Sequence, residues 1–193
     1  SVGARYSVSW YNKSMFETAK KLVDEAQRIT IIQAENPDGD SLGTALALEE
    51  ILSDLGKTVQ LHCPVETPKY LRYINGWDRV TLELDTKADL YIIVDTTAEV
   101  LLSKTFEIPG ARHAIDTRPV LVLDHHISDS TLTFDAHLVS ETAVSTSEVL
   151  YHFTTASSWP INAQAAENML IAQMSDSRGL TTRSSTAESF FVA

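Results

Sequence analysis

With 193 residues, 44% of them apolar, the chain can bury one ordinary globular core, and a single domain over residues 1–193 is the expected organisation. A formal charge of -11 with no block of lysine or arginine argues against binding of duplex DNA by this domain, and a phosphate ligand would need local cations. The single cysteine, Cys63, excludes an intrachain disulfide and a thiolate zinc cage, and reads as a small buried hydrophobe on a strand. No apolar run reaches the roughly 18 residues of a membrane span and the start, SVGARYSVSW, has no signal-peptide stretch, so a soluble, cytoplasmic protein is expected.

The first helical pattern runs from Met15 to about Gln27, with Phe16, Ala19, Leu22, Val23 and Ala26 on one stripe. A strand, TIIQA, follows, and then a helix from Ser41 to Leu55 that stops at Gly56. TVQLHC is the next strand. The segment PVETPKYLRYINGWDRV interrupts it with Pro64 and Pro68, then a short helical turn whose Tyr70, Tyr73 and Trp77 are expected in core contacts, with base stacking as the alternative. LYIIVD and PVLVLD are nearly all apolar, as strands buried on both faces of a parallel sheet are. An edge strand near Leu132–Leu138 and helices over about Val144–Phe153 and Asn162–Met174 complete the pattern. Strands alternating with helices define an α/β fold, mainly a parallel sheet flanked by helices, with right-handed crossovers.

Ligands of an open parallel sheet bind beyond the carboxyl ends of its strands. There this sequence concentrates acid and imidazole: Asp38 and Asp40 after TIIQA, Asp95 after LYIIV, and Asp124, His125 and His126 at the end of PVLVL. A fourth segment, LIAQMSDSRG, brings Asp176 at the end of an apolar helix. So many carboxylates on one edge demand neutralisation, and hard oxygen plus imidazole donors without thiolate suit Mn²⁺ or Mg²⁺, with Zn²⁺, Co²⁺ and Fe²⁺ as further candidates. Asp38 and Asp40 leave one loop from different positions, so each could serve a different ion, with Asp95 as the candidate bridge. Two bridged ions could hold a water as hydroxide and clamp a phosphate for in-line attack. Taken alone, LDHH reads equally as a satisfied strand-end cluster and Asp176 as a helix cap.

In this order and at these separations, NPDGDSLGTALAL, IIVDTT, LDHH and MSDSRGL resemble the four motifs of the DHH phosphoesterase superfamily. That group includes RecJ-type exonucleases, oligoribonucleases, cyclic dinucleotide phosphodiesterases and family II inorganic pyrophosphatases. The resemblance covers about Thr30 to Phe191, includes the connecting helix in ETAVSTSEVLYHF, and places a metal-binding core at about 29–192. It implies that Asp38 and Asp95 bind a first metal and that Asp40, Asp95, His125 and Asp176 bind a second. It further implies that His126 contacts the scissile phosphate and that Asp124 orients the histidine pair. Arg178 and Arg183 are candidates for substrate phosphate, with ordinary exposed arginines as the alternative. His62, His113, His137 and His152 are expected at the surface or core edge.

The sequence departs from the resemblance twice. The superfamily's first motif has a metal-binding histidine where this chain has Ala34, so waters or Glu35 would have to complete the first site. An engineered substitution, a natural one compensated locally, or a degenerate domain would each account for it, and natural variation is the reading adopted. Second, relatives carry a glycine-rich C-terminal substrate-binding domain, whereas here the last of 7 glycines is Gly179. The expectation is that this domain is absent and the cleft open, or that a homo-oligomer covers it. The implied activity is Mn-dependent hydrolysis of short oligonucleotides, cyclic dinucleotides or another phosphate ester. Pyrophosphatase-like activity and a catalytically degenerate binding domain are the alternatives.

Overall fold

The amphipathic stripe of the first segment forms α1 (Trp10–Glu25), whose Phe16, Ala19 and Val23 are buried. The computed structural model describes residues 10–126 and 128–192, so the expectation about the first residues lies outside the described residues. β1 (Arg28–Ile32) leads through the NPDGD loop into α2 (Gly39–Asp54), and Gly56 at φ 78° makes the turn into β2 (Thr58–His62), as only a residue without Cβ does cheaply. Then come β3 (Val80–Thr81), β4 (Leu90–Val94), α3 (Ser103–Phe106), α4 (Ala111–Thr117), β5 (Val120–Asp124), β6 (His137–Ser140), α5 (Thr146–Ser157), α6 (Ala163–Asp176) and α7 (Ala187–Val192).

The six strands lie in the order β3-β2-β1-β4-β5-β6 and every pairing is parallel. β4 and β5 are buried at all five positions each, which explains their unbroken apolar sequence. Strand alternation splits the core in two. Ile29, Ile31, Leu61, Ile92, Val94, Leu121 and Leu123 face α1, α2, α5 and α6, whereas Ile32, Tyr91, Ile93, Val120 and Val122 face the thinner cover of Ala111, Ala114 and Ile115 on α4. Cys63 is buried just past the end of β2, where its thiol donates to the Ala34 carbonyl at 3.4 Å.

Several expectations are corrected. The edge strand sits at His137–Ser140, displaced from Leu132–Leu138, with Val139 turned to the core. β3, α3, α4 and α7 were not anticipated; at two to seven residues they are too short to show a period. Tyr70 and Tyr73 are exposed (66% and 70%) rather than in the core, while Trp77 packs against it with the Arg72 guanidinium 4.7 Å over its ring. His62 is fully buried, with its ring nitrogens 3.1 Å from the Glu83 carbonyl and 3.1 Å from Thr105 Oγ1. Burial pushes its pKa down to about 4. Among the described residues no helix is long and apolar enough to cross a membrane.

Candidate metal centre

The strand order creates the crevice. From β1 the chain moves outward to β2 and β3, and from β4 it moves outward the other way to β5 and β6, so the loops after β1 and β4 part at the middle of the sheet. Asp38 and Asp40 lie on one loop and Asp95 opens the other. Asp124, His125 and His126 follow on the neighbouring strand end.

Asp38 caps α2. Its Oδ1 accepts the Ser41 amide at 2.9 Å while Ser41 Oγ accepts the Asp38 amide at 2.9 Å, a reciprocal box that fixes where the helix starts. Asp40 therefore falls in the first turn, 1% exposed and turned inward. It accepts the Thr146 amide at 2.7 Å, the Ser147 amide at 3.3 Å and the Thr44 hydroxyl at 3.1 Å. Thr146 and Ser147 open α5, so the carboxylate occupies the positive end of that helix. Burial still dominates and raises its pKa to about 6, while the Thr146 bond pulls the other way.

Asp95 has the left-handed backbone, φ 65°, that Asp tolerates better than most residues and that breaks the strand's alternation at its end. Its Oδ1 accepts the Thr146 hydroxyl at 2.8 Å. Burial, then the charges of Asp40 and Asp38, hold its pKa well above the usual carboxylate range.

Asp176 is the last residue of α6, and glycines bring it in. A Cβ on Gly39 would lie 2.2 Å from Ser175 Oγ, and one on Gly43 would lie 2.7 Å from the Asn168 carbonyl. Two bare positions one turn apart on α2 thus let α6 close against it and deliver Asp176 to the crevice.

His125 is where these groups meet. A carbonyl can only accept, so the 3.2 Å contact to the Ala143 oxygen requires a proton on Nδ1 and leaves the lone pair of neutral His125 on Nε2. That nitrogen is 3.7 Å from Asp40, 3.7 Å from Asp95 and 3.5 Å from Asp176. Asp40, His125 and Asp176 offer donor atoms within 4.8 Å of one another, as do Asp95, His125 and His126. His126 is tethered at 2.7 Å from Nδ1 to Asp124 Oδ1, a bond that raises its pKa. Asp124 Oδ2 is buried with no hydrogen-bond partner among the described residues. No lysine or arginine pairs with the five aspartates among the described residues. Two largely buried carboxylates, Asp40 and Asp95, and the exposed Asp176 around a bare imidazole nitrogen fit a divalent cation that favours oxygen and imidazole donors.

A cleft of about 260 Å³ opens beside this edge, lined among others by Ala34, Asn36, Asp38, Asp95, Asp124 and His126. Glu35 does not enter it: its Oε2 accepts the Ser103 hydroxyl at 3.1 Å and the Lys104 amide at 3.2 Å at the start of α3. Its amide donates to the Leu101 carbonyl at 3.0 Å, so the backbone is held in that direction. The expectation that Glu35 could replace the missing imidazole is corrected accordingly. Arg178 and Arg183 are exposed and neither lines the cleft. Of the other histidines, His152 is buried with Nδ1 2.8 Å from Glu141, His137 reaches the Met15 carbonyl at 2.8 Å, and His113 is exposed. Sequence reasoning missed Thr146, Ser147 and Ala143, which orient the aspartates and His125 across 18 to 107 positions of chain. Only the helix start was legible, as Ser145 three residues before Glu148.

This edge, on an all-parallel sheet, gathers carboxylates and imidazoles that could hold a divalent cation where such folds bind their ligands. The sequence matches the DHH family, N-terminal domain, over residues 28–173, and the chain belongs to that phosphoesterase family. The fold is shared with an exopolyphosphatase-related protein from Bacteroides fragilis at a TM-score of 0.81 and 23% identity, over 93% of this chain and 55% of that one. A Methanococcus jannaschii protein assigned to the family II inorganic pyrophosphatases matches at 0.57 and 19% identity, over 86% of this chain and 53% of that one. RecJ from Thermus thermophilus, in complex with Mn²⁺, matches at 0.50 and 17% identity, over 86% and 26%. The chain therefore spans about half the length of the first two, 55% and 53%.

Proposed function

We propose that the chain is the metal-binding part of an Mn²⁺-dependent phosphoesterase that hydrolyses phosphodiester bonds in short oligonucleotides or cyclic dinucleotides. The observation that carries this is His125 Nε2, its partner nitrogen committed to Ala143, faced by three carboxylates at 3.5–3.7 Å. Asp40, Asp95, His125 and Asp176 would hold one ion, and Asp38 with Asp95 the other. Bound there, divalent cations supply charge neutralisation at the phosphoryl group and activation of water. Thr146 and Ser147 keep Asp40 turned inward, and Thr146 orients Asp95. His126, held by Asp124 and with its pKa raised, offers a proton or positive charge to a phosphoryl oxygen in the cleft. The net charge of -11 favours ligands with few phosphates over long polyanions.

The test is hydrolysis of a 5′-phosphorylated dinucleotide with Mn²⁺, read as mononucleotide released. Turnover of pyrophosphate without turnover of the dinucleotide would replace this reading by a pyrophosphatase. A second reading, a domain that binds nucleotide without catalysis, is favoured by Ala34 in the cleft wall. Hydrolysis that appears only after Ala34→His would select it.

A further inference from the structure

The two sides of Asp95 are unequally furnished. Toward α5 and α6 lie Asp40, His125 and Asp176, with donor atoms within 4.8 Å of one another. Toward the cleft lie Asp38, which belongs to no cluster of three such donors among the described residues, and His126, which groups with Asp95 and His125 but whose Nδ1 is tied to Asp124 at 2.7 Å. The Asp38 Oδ1 is already occupied by the Ser41 amide, and the wall beside it is the methyl group of Ala34. The two oxygen donors adjacent to that methyl along the chain are committed elsewhere. Glu35 is fixed on Ser103 and Lys104 at the start of α3, and the Ala34 carbonyl accepts the Cys63 thiol. Asn36 and Ser41 do line the cleft, but as neutral oxygens they offer a divalent cation much less than a carboxylate does.

Resting on the proposed metal centre, we propose that the centre is asymmetric: the Asp40, Asp95, His125 and Asp176 side retains one resident divalent ion. The Asp38 side fills only together with a phosphate-bearing ligand, whose oxygens supply the donors the chain lacks. A cation held by Asp38 and Asp95 alone would keep most of its water and exchange freely. A phosphoryl group in the cleft adds charged oxygens beside the Ala34 methyl, where the neighbouring Asn36 and Ser41 offer only neutral ones. The second ion and the ligand then bind with mutual dependence, each raising the affinity of the other by the same factor.

Equilibrium dialysis against Mn²⁺, with electron paramagnetic resonance of the retained ion, tests this directly. With metal alone, one ion per chain and an uncoupled Mn²⁺ spectrum are expected. Inorganic phosphate should add a second ion and broaden the signal by coupling. Ala34→His, which extends into an open cleft, should bind the second ion without phosphate. Asp38→Asn, which keeps a good helix cap, should abolish the phosphate-dependent ion and leave the first in place. Two ions of similar affinity with metal alone, or a count that phosphate and Ala34→His leave at one, would overturn the asymmetry while the phosphoesterase reading stands or falls on hydrolysis. A count of zero would sink both.

Discussion

The two faces of the sheet are built to different depths, and the candidate metal centre draws mainly on one of them. On the thick face, α2, α5 and α6 pack on Ile31, Ile92 and Leu121, and they supply Asp40, Asp176 and the Thr146 contacts. On the thin face, α3 provides Thr105 for His62 and a helix start for Glu35, and the described contacts bring no carboxylate from α3 or α4 to His125. Well-packed helices can hold a carboxylate such as Asp40 buried and in place although burial disfavours its charge, which the Thr146 amide offsets in part. The thin face instead absorbs its polar residues in local hydrogen bonds.

Removing the imidazole that joins the thick-face ligands should have the largest effect. His125→Ala is expected to lower Mn²⁺ affinity and hydrolysis by more than roughly 100-fold, since loss of an outer partner alone typically costs ten- to a hundred-fold. Near-normal Mn²⁺ retention by this variant would remove His125 from the centre. On the thin face the counterpart is His62. Its folded pKa of about 4 lies below the ordinary 6.5, so its contribution is complete above pH 6.5 and is lost progressively as pH falls toward 4. Asp40 and Asp95, whose pKa values are raised, act in the opposite direction, so the loss is read as the difference in urea unfolding between the protein and His62→Gln, up to roughly 3 kcal/mol across that window at about 1.4 kcal/mol per unit. The variant should lack the His62 share of the slope; an unchanged slope would place the proton uptake elsewhere.

Smaller effects sharpen the contrast. Gly39→Ala places a Cβ 2.2 Å from Ser175 Oγ and should cost about 1–3 kcal/mol of stability, seen as a lower Tm, with weaker ion retention as Asp176 is pushed away. Unaltered Tm and metal affinity would mean that α6 slides without consequence. Glu35→Gln should change least: stability within about 0.5 kcal/mol and an unchanged ion count, because Gln still accepts from Ser103 and Lys104. A fall in bound metal would return Glu35 to the ligand set.

The legible parts of the fold share a cause. LYIIV and PVLVL are apolar at every position because both faces are covered, and an aspartate follows each where the strand's carboxyl end meets the crevice. α2 announced itself through its apolar positions between Leu42 and Leu55 and its stop at Gly56, while the Asp38 and Ser41 box that starts it came from the structure. Tyr70, Tyr73 and His62 were misplaced for the opposite reason, since residue type alone does not say which side of a short turn or strand faces out. Glu35 was misjudged because its partners, Ser103 and Lys104, lie 68 and 69 positions away.

By itself, then, the sequence determined the alternation of strands and helices, the family motifs and the strand-end location of Asp38, Asp95 and Asp124, because hydrophobic period and local capping are short-range. Only the tertiary structure decided that α6 brings Asp176 to 3.5 Å from His125, that the Ala143 carbonyl selects the imidazole's bare nitrogen, and that Glu35 turns away from the cleft. Those depend on contacts between segments far apart in the chain, which no local pattern encodes.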